Sequence, residues 1–280
     1  MKTSTRHVYE YTVEPGSNTA SAFVAQLVGS SKRVLEIGCG PGSITKVLAQ
    51  QGQCQVTGIE LDSAAIEKAA PYCDTIIQGD LNDTKWPHLL DNMPLFDVVV
   101  AADVLEHLYN PWTTLKQMVP LIEPNGCLVI SLPHVGHAVV ASCLMTGDFE
   151  YRDWGLLDRT HIRFFGLKNI EELFAQADLK IVEANYVIKT PEETEFAENW
   201  SKLTATVQSA LRSSQHADIY QVVVKAVPNS HPDTAISLIQ SPQPIAVNRK
   251  ASWKSRIARH LSNKNKQRIR AGLGRLGIRI

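Results

Sequence analysis

Apolar positions along this chain follow two periods in turn. Val34, Leu35 and Ile37 form a short run interrupted by Glu36, and three glycines follow at Gly38, Gly40 and Gly42. Residues 43–51 then carry Ile44, Val47 and Leu48 at i, i+3, i+4 spacing, which predicts a helix. Upstream, residues 18–28 place Phe23, Leu27 and Val28 on one helical face. Downstream, strands are expected over 56–59, 75–78, 96–101, 127–132, 180–188 and 219–227. Phe96, Val98, Val99, Val100 and Ala101 make a nearly continuous apolar run, as in a central parallel strand covered on both faces. Helices are expected over 63–70 (capped by Ser63, with Glu67 supporting the first turn), 111–122 and 167–177. Residues 133–166 read as irregular, and 191–213 as an exposed helical stretch. Strands alternating with helices at this spacing imply a doubly wound α/β sheet.

Composition changes this picture little, and charge changes it more. The 280 residues are 44% hydrophobic, enough for one substantial core. No apolar run reaches the roughly 18–20 residues that span a bilayer, and the first residues lack a signal-peptide core, so cytoplasmic residence is expected. Five scattered cysteines without a CxxC pair suggest reduced thiols, and no metal ligand is assigned. Net charge is zero, yet residues 249–280 hold 11 of the 28 Lys and Arg and none of the 28 Asp and Glu. An acidic body thus carries a basic appendage, with Pro228, Pro232, Pro242 and Pro244 marking a linker between them.

The candidate chemistry lies at strand ends, where ligands of open parallel sheets bind. Glu36, Glu60 and Asp80 each stand at the end of a predicted strand. Glu60 is placed to accept from both hydroxyls of a ribose, Asp80 from an adenine amine, and Glu36 to hold a cationic amino group. A dinucleotide site would need GxGxxG, but position 43 is Ser, and no Lys or Arg stands between Arg33 and Lys46 to meet a phosphate. A cationic ligand without phosphates suits the carboxylates better.

The runs VLEIGCGPGSITKVLA, GIELD, Gly79-Asp80, FDVVVAADVLEHL and LIEPNGCLVISLP, in this order, resemble class I S-adenosylmethionine-dependent methyltransferases. The resemblance implies a seven-stranded, mostly parallel, Rossmann-like sheet with an antiparallel last strand, and S-adenosyl-L-methionine as cofactor. It implies a methyltransferase domain over 31–228, preceded by a cap segment and helix (1–30) and followed by the linker (229–248) and the tail (249–280). It assigns Glu36, Gly38 and Gly40 to the methionine end, Glu60 to the ribose, and Asp80 with Leu81 to the adenine, and it counts Cys39, Gly42 and Leu61 among the cofactor-binding residues. Asp103 and Val104 would line the sulfonium side, with Glu106 and His107 structural. Residues 147–165, GDFEYRDWGLLDRTHIRFF, resemble a segment of methyltransferases associated with polysaccharide and glycosyl-transfer pathways.

Within that segment His161 is the candidate general base for a hydroxyl acceptor, with His134 and His137 competing and Asp158 beside it. The alternative is that Asp158 pairs with Arg159 or Arg163 to brace the loop. Tyr151 and Trp154 are candidates to stack on an acceptor. The expected activity is O-methylation of a sugar hydroxyl or related small acceptor in cell-surface glycan synthesis. A quinone or phenolic ring hydroxyl and a non-catalytic cofactor-binding scaffold are the rivals. In the tail, Trp253, Ile257 and Leu261 lie four apart among Lys and Arg, a pattern suited to an anionic membrane surface, on the inner face of the membrane, or to an acidic partner. Nucleic acid ranks last, for want of aromatics beyond Trp253 and because the body is acidic.

Overall fold

Alternation of inward positions builds both sides of the central sheet at once. In strand β4 (Phe96–Ala102) Val99 and Ala101 enter one apolar cluster, while Val98 and Val100 enter the other. The structure, a computed structural model, describes residues 10–240. Its strands are β1 (Arg33–Ile37), β2 (Gln55–Glu60), β3 (Thr75–Gln78), β4, β5 (Ile122–Pro133), β6 (Leu179–Ile188) and β7 (Ile219–Pro228). They form one sheet in the order β3-β2-β1-β4-β5-β7-β6. All pairings are parallel except those of β7, which runs antiparallel to both β5 and β6. The expected seven-stranded α/β architecture is therefore present.

Helices α1 (Ala20–Val28), α2 (Ser43–Gln50) and α5 (Ala138–Thr146) contribute to one cluster. Helices α4 (Pro111–Met118) and α6 (Leu167–Ala175) contribute to the other. Helix α3 (Ser63–Ala69) follows β2, and α7 (Ala197–Ser201) and α8 (Ala205–Arg212) precede β7. No helix among the described residues is long and apolar enough to cross a membrane.

Several expectations need correction. The cap of α3 is Asp62, whose carboxylate accepts from the Ala64 N–H, and Glu67 falls outside the first turn. The helix expected over 111–122 ends at Met118, and a tight turn at Val119–Leu121 leads into β5. Strand β5 begins at Ile122 opposite Phe96, then shifts register to pair Cys127 with Val98. Residues 133–166 contain α5, which is apolar nearly all round and so shows no face by periodicity. Its ends are nonetheless well marked: His137 Nδ1 accepts from the Val139 N–H, and Gly147 terminates it at φ +67°.

Residues 191–213 are not one exposed helix but three short pieces. Phe196, Asn199 and Trp200 are buried there, and the Trp200 indole donates to Glu192 at 2.9 Å. The described part of the expected linker packs back on the domain. Ile236 N–H donates to Ile181 O (2.8 Å), and the buried Leu238 donates its N–H to Glu171 (2.6 Å). The basic tail, 249–280, lies outside the described residues.

Candidate active site

Strand order reverses between β1 and β4, and a cavity of about 410 Å³ opens at the carboxyl ends of the strands there. After β1 the backbone turns through Gly38 and Gly40 at φ +66° and +54°. A Cβ on Gly38 would lie 2.7 Å from Val104 Cγ2, whereas one on Gly40 would meet nothing within 4 Å. Gly38 thus lets two loops touch, and Gly40 leaves bare backbone facing a ligand. Gly42 lies outside this cavity, at the N-cap of α2. Its missing side chain is a packing requirement, since a Cβ would sit 2.9 Å from Ala69 Cα.

Glu60, at the end of β2, fixes this turn. Its carboxylate accepts from the N–H groups of Gly40 (2.8 Å), Leu61 (2.8 Å) and Asp62 (2.9 Å). Three of about four lone-pair positions of the carboxylate are engaged in this way. Glu36, Cys39, Leu61, Asp80, Leu81, Asp103 and Val104 also line the cavity. Asp80 caps its own turn by accepting from Asn82 N–H at 2.8 Å.

Asp103 occupies the left-handed region at φ +54°, unusual for a side-chain-bearing residue. It accepts from Ser131 Oγ at 2.7 Å and from Gln221 Nε2 at 3.1 Å. Glu36 is buried and accepts from Thr45 Oγ1 at 2.7 Å; burial pushes its carboxyl up to about 7. Among the described residues, seven carboxylates and no lysine or arginine line the cavity. That donor set fits a cationic nucleoside such as S-adenosyl-L-methionine and offers nothing to a pyrophosphate.

The other half of the cavity comes from two distant segments. A tight turn at Leu105–His107 follows β4, and residues 155–163 lie across it. Ile162 and Arg163 both donate their N–H groups to Glu106 O at 3.0 Å. His161 Nδ1 lies 3.3 Å from Leu156 O, which can only accept, so the proton sits on Nδ1 and the lone pair on Nε2. His161 Nε2 stands 3.9 Å from Glu106 Oε1, and the His107 and His161 rings meet edge to face at 4.8 Å. Desolvation depresses the His161 pKa to about 4, keeping it neutral. Glu106 is fully buried, neither carboxylate oxygen has a hydrogen-bond partner among the described residues, and burial pushes its carboxyl well above the usual range.

Asp158 is buried and accepts from Thr160 through both its N–H (2.8 Å) and Oγ1 (2.6 Å). The brace expected of it with Arg159 or Arg163 takes other partners: Arg159 pairs with Asp153, and Arg163 donates to Tyr109 O and stacks on Trp112. His134 and His137 are not brought to the cavity. His134 Nδ1 donates to Ile219 O, and His137 Nε2 donates to Lys189 O, so each is a satisfied buried group. Tyr151 and Trp154 are exposed and line none of it.

Glu106 and His107, read from the sequence as structural, stand on the cavity wall, as do Tyr11, Tyr220 and Gln221. An Glu-His pair directly after a central strand was the available signal for the first two. The five cysteines are free thiols.

Comparison with known proteins bears on family and fold. Residues 14–184 match the family described as a methyltransferase domain. A 106-residue stretch, 36% of this chain, is 33% identical to the ubiquinone biosynthesis O-methyltransferase of Haemophilus ducreyi and covers 44% of that protein. A 175-residue stretch, 60% of this chain, is 29% identical to the ubiquinone biosynthesis O-methyltransferase of Rickettsia akari and covers 66% of it. The chain therefore spans from under half to about two thirds of the length of these relatives. Among solved structures, the plantazolicin methyltransferase BpumL superposes with a TM-score of 0.50 at 18% identity, over 76% of this chain and 83% of that one, a likeness of fold. With more than half of its residues matched, the chain belongs to the methyltransferase-domain family, class I by its fold, whose cofactor is S-adenosyl-L-methionine.

Proposed function

We propose that this protein O-methylates a hydroxyl on a small phenolic or quinone-type ring. The observation that carries the reading is one cavity holding two unlike halves: glycine backbone with carboxylates, and the group of the buried Glu106 with His107 and His161. S-adenosyl-L-methionine supplies the methyl group when bound. Glu36, Glu60 and Asp80 hold its amino, ribose and adenine ends, and Gly38 and Gly40 admit it against the backbone. His161 Nε2 takes the proton of the acceptor hydroxyl, its tautomer set by the Leu156 carbonyl. The remaining residues align the acceptor oxygen with the methyl group, where much of the rate arises.

Support for a ring acceptor comes from the relatives, whose names place them in ubiquinone biosynthesis. It comes also from the apolar wall of Val104, Leu108, Pro133 and Tyr220, which suits a planar ring better than a polyhydroxylated sugar. The sugar-hydroxyl reading has only the likeness of residues 147–165 behind it, and the scaffold reading has no comparable support. Recruitment to an anionic membrane surface by residues 249–280 is part of the proposal, supported by their charge of +11.

The test offers the purified full chain labelled S-adenosyl-L-methionine with a catechol-type phenol or with a hexoside. Label entering the phenol is the expected result; label entering only the hexoside would overturn the ring assignment.

A further inference from the structure

Glu106 presents a problem that the methyl-transfer reading leaves unsolved. It is 0% exposed, both its carboxylate oxygens lack a hydrogen-bond partner among the described residues, and the residue belongs to the lining of the cavity. Leaving a buried carboxylate unpaired costs several kcal/mol in general. The charged groups nearest in effect are Asp103 and Asp158, which make the deficit worse.

We propose that Glu106, His107 and His161 form a site for one divalent transition-metal ion of the zinc type in the acceptor half of the cavity. One ligand atom from each residue lies within 4.8 Å of the other two. Ligands of a tetrahedral zinc stand about 3.3 Å apart, from bond lengths of about 2.0–2.1 Å, so small side-chain rotations close the set. Two imidazoles and one carboxylate form a recurrent first-row metal set that keeps a position open.

The surroundings are those of ligating histidines. His161 Nδ1 donates to Leu156 O, which turns Nε2 toward Glu106. His107 Nδ1 meets Thr160 O at 3.2 Å and Thr160 Oγ1 at 3.0 Å, and that hydroxyl donates onward to Asp158 at 2.6 Å. Carbonyl and carboxylate partners behind the ring are what orient a metal-binding imidazole and raise its basicity. An ion here would also neutralise Glu106 and lower the proton affinity of an acceptor hydroxyl placed at the open position. In that state His161 serves as ligand and the ion does the work otherwise given to a base.

The experiment is an equilibrium titration of the chelator-stripped full chain with zinc chloride against a chromophoric chelator, with metal content checked by mass spectrometry. Wild type is expected to take up one equivalent and to gain thermal stability on doing so. Glu106→Gln and His161→Ala are each expected to lower zinc affinity at least tenfold and to lose the thermal gain. Binding of S-adenosylhomocysteine by the variants shows that they fold, and His107→Ala serves if Glu106→Gln does not. Uptake well below one equivalent, or equal affinity in wild type and His161→Ala, overturns the site. No acceptor enters the measurement, so its failure leaves the methyl-transfer reading standing.

Discussion

The two halves of the cavity are assembled by different means. The half under β1–β3 is local: Gly38, Gly40 and Glu60 sit at strand ends, and their hydrogen bonds join residues at most about twenty positions apart. The half over β4 joins Glu106 and His107 to residues 155–163, some fifty positions away, through backbone bonds to Glu106 O. The first half is a cradle of shape and charge built from neighbouring strand ends. The second is a cluster of titratable groups whose chemistry depends on long-range placement.

If the division is sound, substitutions in the two halves separate binding from turnover. His161→Ala has the largest expected effect, a fall in kcat of about 10²–10⁴-fold with S-adenosyl-L-methionine affinity nearly unchanged. Steady-state kinetics together with calorimetry check it, and full activity in the variant would remove His161 from the chemistry. Gly38→Val should act the other way. Its φ of +66° and a Cβ 2.7 Å from Val104 Cγ2 predict a loss of cofactor affinity of about 10²-fold. Unchanged affinity there would mean that the turn has another purpose.

A smaller effect sharpens the cofactor half. Glu36 is raised to about 7 by burial, and Tyr11, Cys39 and Cys73 are the titratable groups that face it. Below that pH the free protein holds a proton that a cationic amino group must displace. Cofactor affinity is therefore expected to weaken about tenfold from pH 8 to pH 6, because binding selects the ionised form. Glu36→Gln should abolish this slope while lowering affinity at pH 8. A pH-independent wild type would separate Glu36 from the amino group.

Legibility in the sequence followed the same division. The β1 turn, the acidic strand ends and the alternation of strands and helices are local patterns, and these were recovered with most boundaries off by one or two residues, save the end of α4 and the start of β5. Helix α5 was hidden because its residues are apolar on every side. Trp200 and Phe196 looked exposed because their segment is polar in composition, yet the two side chains turn inward. His161 was singled out, but its nearness to Glu106 and His107 was not, since nothing in a linear reading brings them together. His134 competed for the same role in the sequence, and Ile219 O occupies its Nδ1.

The central claim is that glycine backbone and carboxylates in one crevice select a cationic nucleoside over a phosphate-bearing one. Calorimetry of the purified full chain with S-adenosyl-L-methionine and with NAD tests it most directly. Saturable one-to-one binding of S-adenosyl-L-methionine without heat from NAD is predicted; binding of NAD in its place would contradict the account.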